Sequence, residues 1–336
     1  MLTLAGLIAL ALISTAIVWV GADHLEVAAN RLAVYYGLPA IVQGAVLVAV
    51  GSSMPELVTA VLAPLVHGDF ELGLAAIVGS AIFNILVIPA LATLATAGNL
   101  SATRELVYKE AQFYLIAVAV FLLMLSLAVI YYPTDEPTLG GQVTPLLALA
   151  PLALYCLYGF IQYQDTIDHV ATRDPTGIDP RRAWFGFIGG FVLILIGVEG
   201  LLRAAIGFGD ALGTPSFVWG LTIVAAATSI PDAFVSVRAA EKERTVTGIA
   251  NVFGSNVFDL LVAVPAGVLV AGVAIINFAQ LAPLVGFLIL GTIVLFAQLR
   301  TEFTLTRLEA VSLLGLYGIF LLWVILAAFG YVAGPV

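Results

Sequence analysis

The sequence predicts an all-α membrane protein: ten transmembrane helices forming two inverted five-helix repeats, with helices two and seven broken within the membrane. Composition, long charge-free runs and an internal offset carry this prediction. Of 336 residues, 62% are hydrophobic and 10% charged, whereas soluble domains carry about 25% charged residues. Too few polar side chains exist to cover a water-facing surface, so the solvent is lipid. Twelve Lys and Arg stand against 21 Asp and Glu, with no basic patch, which disfavours a nucleic-acid partner. The single Cys156 forms no internal disulfide. Nothing in the chain implies a cofactor or a protein partner.

Apolar stretches of the ~20 residues needed to span a bilayer recur along the chain. Met1–Ala22 has no charge and no basic leader, so it reads as helix one and not as a cleaved signal. The further helices are expected over 38–66, 72–98, 106–131, 139–163, 183–205, 214–239, 246–271, 277–299 and 308–333. The uncharged run Leu260–Leu299 is too long for one span and must turn near Asn277. Residues 1–164 then form the first repeat and 183–336 the second. Residues 165–182, with Asp165, Asp168, Asp174, Asp179 and a Pro/Gly-rich DPTGIDP string, form a short cytoplasmic linker.

Scoring the alternating loops puts 11 of the 12 basic residues on one side, with Arg203 alone on the other. Positive charge marks the cytoplasm. The reading is a multi-pass protein of the cell membrane with both termini extracellular.

The repeat emerges when the chain is slid against itself by 176 residues. Gly21 then falls on Gly197, Asp23 on Glu199, Pro39 on Pro215, Ser53 on Ser229, Pro55 on Pro231 and Glu56 on Asp232. A shift of 175 brings Gly79-Ser80 onto Gly254-Ser255 and Asn84 onto Asp259. Five helices per half is an odd number, so the second half enters from the opposite face, as in secondary transporters.

The chemistry concentrates in four strings. Gly51-Ser-Ser-Met-Pro-Glu56 and Ala227-Thr-Ser-Ile-Pro-Asp232 each lie inside an apolar span. Proline lacks a backbone donor and clashes with the preceding turn, so each helix should break there. The break is expected to free carbonyls near Ala49 and Ala225. The hydroxyls of Ser52, Ser53, Thr228 and Ser229 add neutral oxygens, and Glu56 or Asp232 follows. Carboxylate, hydroxyl and carbonyl oxygens suit calcium or sodium. A carboxylate at the bilayer centre costs about 2.5–3.5 kcal/mol on insertion scales, so two at repeat-related positions imply a compensating cation or proton.

The partner strings are Gly79-Ser-Ala-Ile-Phe-Asn84 and Gly254-Ser-Asn-Val-Phe-Asp259. Their glycines suit close helix approach. Ser80 and Asn84 share one helical face, as do Ser255 and Asp259. Asn84 is either a ligand or an interhelical hydrogen-bonding residue. Gly207-Phe-Gly-Asp210 spells the GxGD string of intramembrane aspartyl proteases. It is expected in a glycine-rich outer loop, and the chain is not read as an enzyme.

These four strings resemble the two alpha repeats of the cation/calcium exchanger superfamily, above all its sodium/calcium and potassium-dependent sodium/calcium exchanger branches. The resemblance implies sodium/calcium antiport by alternating access, with calcium and sodium as transported ions and potassium added in the potassium-dependent branch. Glu56 and Asp232 match the family's central carboxylates. Ser52, Ser53, Thr228 and Ser229 match flanking ligands, and Ala49 and Ala225 match carbonyl donors to sodium. Ser80 and Ser255 match outer sodium-site serines, with Asn84 and Asp259 the remaining central pair. Helices one and six match gates that slide across a rigid core. Asp232, where many prokaryotic members carry Glu, points with Asp259 to potassium dependence. A proton/calcium antiporter and a passive cation channel are the alternatives.

Overall fold

A computed structural model describes residues 3–36, 51–96, 98–104, 106–135, 139–166, 178–242 and 245–334. Among these, nine helices are long and apolar enough to cross a membrane, and a shorter apolar helix spans Met54–His67. The chain is a multi-pass membrane protein.

Helix α1 spans Leu4–Tyr35, capped by Thr3, whose side chain accepts from the Gly6 amide. Sequence charge suggests an end near Ala22, but the helix runs 13 residues further. At 1.5 Å per residue its 32 residues extend about 48 Å, well past a hydrocarbon core of about 30 Å. Asp23, Glu26 and Arg31 therefore ride on a helix and not in a loop. Its counterpart α7 spans Pro180–Leu212. This helix contains Gly207–Asp210, correcting the loop expected there. The two cross closely through small residues: a Cβ on Gly197 would lie 2.9 Å from the Ser14 carbonyl.

The remaining first-half helices are α2 (Met54–His67), α3 (Phe70–Leu86), α4 (Ile88–Ala95), α5 (Ala111–Tyr131) and α6 (Pro145–Thr166). A π-turn, Leu106–Glu110, leads into α5. After α7 come α8 (Ser216–Trp219), a π-turn over Gly220–Val224, α9 (Ala225–Thr228), α10 (Ile230–Glu241) and α11 (Thr245–Phe258). A further π-turn, Asp259–Ala263, leads to α12 (Val264–Ala271), followed by α13 (Phe278–Arg300) and α14 (Arg307–Ala328). The turn expected near Asn277 is present, and Asn277 caps α13 by accepting from the Gln280 amide.

Burial identifies the centre. The spans Phe70–Ala95 and Gly248–Ala271 are 89% and 83% buried over their apolar windows, against 28% for α1 and α14. Helices α3 and α11, which carry the Gly-Ser strings, are thus the inner pillars. Exposed Leu12, Ile130, Phe185, Leu308 and Ile319 form part of the lipid-facing surface.

Two short antiparallel sheets link the halves. Strand β1 (Leu100–Ser101) pairs with β4 (Thr304–Leu305), and β2 (Gly140–Val143) pairs with β3 (Ala274–Asn277). Each pairing joins a first-half connection to a second-half one, with Leu100 opposite Leu305 and Gly141 opposite Ile276. The fifth span begins with β2, so its helix starts at Pro145, six residues later than expected. Most of the 165–182 linker lies outside the described residues.

Candidate cation site

Proline positions the acids. Pro55 and Pro231 occupy the first turn of α2 and α10, where a missing N–H costs nothing. Ser53 and Ser229 precede those helices, and their carbonyls accept from Leu57 and Ala233 at 3.1 and 3.0 Å. Glu56 and Asp232 consequently lie one residue beyond each proline, in the first turn. An anion there is favoured by the helix dipole.

Glu56, Asp232 and Asp259 are all fully buried. So are Ser53, Ser80, Asn84, Ser229, Ser255 and Asn256, with Ser52 and Thr228 at 1% exposure. The arrangement crosses between halves. Ser80 on α3 donates to Glu56 Oε1 at 3.3 Å and shares a 2.7 Å bond with Ser229. With the Ser80 proton committed to Glu56, Ser229 donates to Ser80. Ser255 on α11 donates to Asp232 Oδ1 at 3.0 Å, while its hydroxyl lies 3.5 Å from that of Ser52. Each serine of a pillar helix thus serves the acid of its own half and touches a hydroxyl of the other.

Amides complete the cluster. Asn84 Nδ2 donates to Asp232 Oδ2 at 3.3 Å and to Asn256 Oδ1 at 3.0 Å. Asn256 donates to the Ala81 carbonyl at 3.1 Å, and Asn251 donates to Asp232 Oδ1 at 3.4 Å. Neither Asn256 nor Asn251 figures among the sequence-predicted ligands. Asn256 falls on Ala81 in the repeat alignment, so repeat matching passes over it. A lone amide inside an apolar span is the signal that would have found it.

Several oxygens have no partner among the described residues. Ser53 Oγ, Glu56 Oε2, Asn84 Oδ1 and both Asp259 oxygens are buried without a hydrogen bond. An unsatisfied buried polar group costs about 1–3 kcal/mol, and more when charged. Five such acceptors in one cluster form a concentrated demand for positive charge. Among the described residues, no three His, Cys, Asp or Glu side chains converge as a metal-binding group. The donor set instead interleaves carboxylates with hydroxyls and amides, the mixed hard-oxygen chemistry that suits sodium or calcium.

Two expectations need correction. The Ala225 carbonyl is not free: it accepts from the Ser229 amide and the Thr228 hydroxyl, each at 3.2 Å. The carbonyl that loses its helical donor to Pro231 is that of Ala227, four residues earlier. Ala49 lies outside the described residues. Close approach also holds for one Gly-Ser glycine only. A Cβ on Gly79 would collide with the Leu221 carbonyl, whereas Gly254 meets only the Tyr158 hydroxyl, 4.0 Å away.

Comparison with known proteins places this geometry in a family. The chain matches the sodium/calcium exchanger protein family over residues 6–164 and 182–326. A membrane protein of Methanocaldococcus jannaschii, itself uncharacterized, is 26% identical over 256 residues, 74% of this chain and 77% of that protein. The human sodium/potassium/calcium exchanger 5 is 49% identical over a shorter stretch of 53 residues, 16% of this chain and 11% of its own. Among solved structures, the sodium–calcium exchanger NCX_Mj aligns with a TM-score of 0.63 at 20% identity, covering 94% of this chain and 98% of its own. The H+/Ca2+ exchanger CAX aligns with a TM-score of 0.71 at 15% identity, covering 96% and 82%. At such identities the two structures speak for the fold alone, and both are exchangers. With nearly the whole chain matched, this multi-pass protein belongs to the sodium/calcium exchanger family, a family of membrane transporters.

Proposed function

We propose that the protein is a secondary active antiporter that exchanges sodium for calcium by alternating access across the cell membrane. The observation that carries this reading is the set of five partnerless buried oxygens around Glu56, Asp232 and Asp259. Calcium takes six to eight oxygens. Glu56 and Asp232, with Ser52, Ser53, Thr228 and Ser229 beside them, offer that kind of cage. Sodium uses the same carboxylates with Ser80, Ser255 and backbone carbonyls. Overlapping ligands make the ions compete, and competition couples their fluxes.

The inverted repeat and the broken helices two and seven belong to the same proposal, with halves at 1–164 and 183–336 about a linker at 165–182. The two sheets support it. Inversion would carry β1 onto β3 and β4 onto β2, exchanging one pair for the other. The prolines at the starts of α2 and α10 support the breaks. The positive-charge bias supports outward-facing termini.

Sodium coupling is preferred to proton coupling because neutral hydroxyls and amides supply so many of the donors. A proton needs one acceptor, not a cage. A passive channel would be expected to line an open pore, whereas these side chains are closed off. Potassium dependence is the second reading, favoured by the Asp232 and Asp259 pair and by the short, strong likeness to the human sodium/potassium/calcium exchanger 5.

Sodium-loaded liposomes diluted into sodium-free medium provide the test. Calcium uptake is expected to need the sodium gradient. Parallel external potassium decides the branch. Uptake that follows an imposed pH gradient and ignores sodium would overturn the assignment.

A further inference from the structure

The lipid-facing surface is interrupted by a cavity of about 660 Å³ between α1, α3, α14 and the π-turn that follows α8. Ile8 and Leu12 of α1 and Ile325 and Phe329 at the end of α14 line it, and all four are exposed, so it is continuous with the surface that meets lipid. It also reaches Phe83 of α3 and Ile230 of α10. Phe83 precedes Asn84, and Ile230 lies two residues before Asp232. The cavity thus runs from the bilayer to the neighbours of the cation cluster.

The lining decides what can fill it. Three of its four polar side chains give their protons elsewhere. Thr15 donates to the Ala11 carbonyl and Thr222 to the Val218 carbonyl, each at 2.7 Å. Trp219 donates its indole N–H to Thr214 at 2.8 Å. The Tyr317 phenol is the fourth, its ring edge-on to Phe83 with centroids 5.6 Å apart. A buried water needs two to four polar partners, and apolar cavities stay dry. Hydrocarbon suits these walls, and the dimensions agree. From Tyr317 to Phe329 the helix rises about 18 Å, against about 15 Å for one leaflet, half of a hydrocarbon core of about 30 Å. The lining segments lie near the N-terminus of α1 and the C-terminus of α14, which places them in one leaflet.

We propose that this cavity is a binding site for one acyl chain of a membrane phospholipid, in the outer leaflet on the orientation proposed above. The chain enters between Leu12 and Ile325 and packs against Trp219, with its inner part beside Phe83 and Ile230. The proposal rests on the membrane fold and not on which ion is carried, so its failure would leave the exchanger reading standing.

Trp219 is one of four tryptophans and serves as the reporter. Trp19→Phe, Trp184→Phe and Trp323→Phe together leave it alone. The full chain is reconstituted in phosphatidylcholine with or without bromine atoms at mid-chain, and tryptophan emission is compared. Trp219 emission is expected to fall by about half or more in the brominated lipid, as for a ring in van der Waals contact with the chain. Adding Ala328→Phe, which places a ring in the cavity from α14, should restore most of that emission. With all four native tryptophans, the same signal is the part of the quenching that Trp219→Phe removes. Equal quenching with and without Ala328→Phe would mean that Trp219 senses only the surrounding bilayer, and would overturn the proposal. Emission indifferent to bromine, or quenched by aqueous iodide, would overturn it as well, because the cavity would then be empty or wet.

Discussion

The two central acids sit in equivalent places but unequal company. Asp232 receives donors from Ser255, Asn84 and Asn251 among others. Glu56 Oε1 receives the Ser80 hydroxyl at a longer 3.3 Å, and among the described residues no donor reaches its Oε2. Asp232 is close to satisfied by protein alone, while Glu56 is short of positive charge. Asp259 belongs with Glu56 in this respect, having no donor on either oxygen. The 176-residue offset in sequence pairs Glu56 with Asp232, but the amides that reach the two differ, and on the proposed function Glu56 and Asp259 are the acids that depend most on an ion.

That contrast is open to direct attack by mutation. Glu56→Gln should have the largest effect. Losing one partner of a buried ionic contact costs about 3–5 kcal/mol, so ion-driven calcium uptake should fall to background. The same change should leave ion-free stability unchanged or raised, because it removes an unpaired buried charge. Uptake assays and melting curves without sodium or calcium check the two halves of this prediction.

Gly79→Ala and Gly254→Ala should differ sharply. The first drives a methyl into the Leu221 carbonyl and should cost about 1–3 kcal/mol or more. The second has open space and should melt near wild type. Asp232→Asn should destabilise the ion-free protein by about 1–3 kcal/mol, since an amide cannot accept all these donors. Its melting temperature should fall where that of Glu56→Gln does not. Equal behaviour of the two would erase the contrast.

The smallest effect is expected at the rim. His67 of α2 lies 3.0 Å from Glu199 of α7, which also pairs with Arg203 at 2.6 Å. This partly exposed cluster should contribute less than about 1 kcal/mol, so His67→Gln should scarcely shift the melting temperature.

Much of the fold was legible because lipid demands apolar runs and the repeat doubled every signal. Glu56, Asp232, Ser80, Ser255, Asn84 and Asp259 do come together as the motif spacing predicts. The failures have physical causes. Asp23 and Arg31 suggested a loop, yet a helix longer than the bilayer carries charges beyond it. The Ala225 carbonyl was predicted free, yet Thr228 and Ser229 are near enough to claim it. Asn256 falls on Ala81 at the repeat offset, so repeat matching gives it no mark. Such residues declare themselves only when the neighbouring donors and acceptors are counted.

The most direct measurement is equilibrium binding of radiolabelled calcium to the purified chain, titrated with sodium, for wild type and Glu56→Gln. We expect wild type to bind calcium and to release it steeply as sodium rises, with no specific binding in the variant. Calcium that stays bound at high sodium, or that binds Glu56→Gln as well as wild type, would contradict a shared cation site at Glu56 and Asp232.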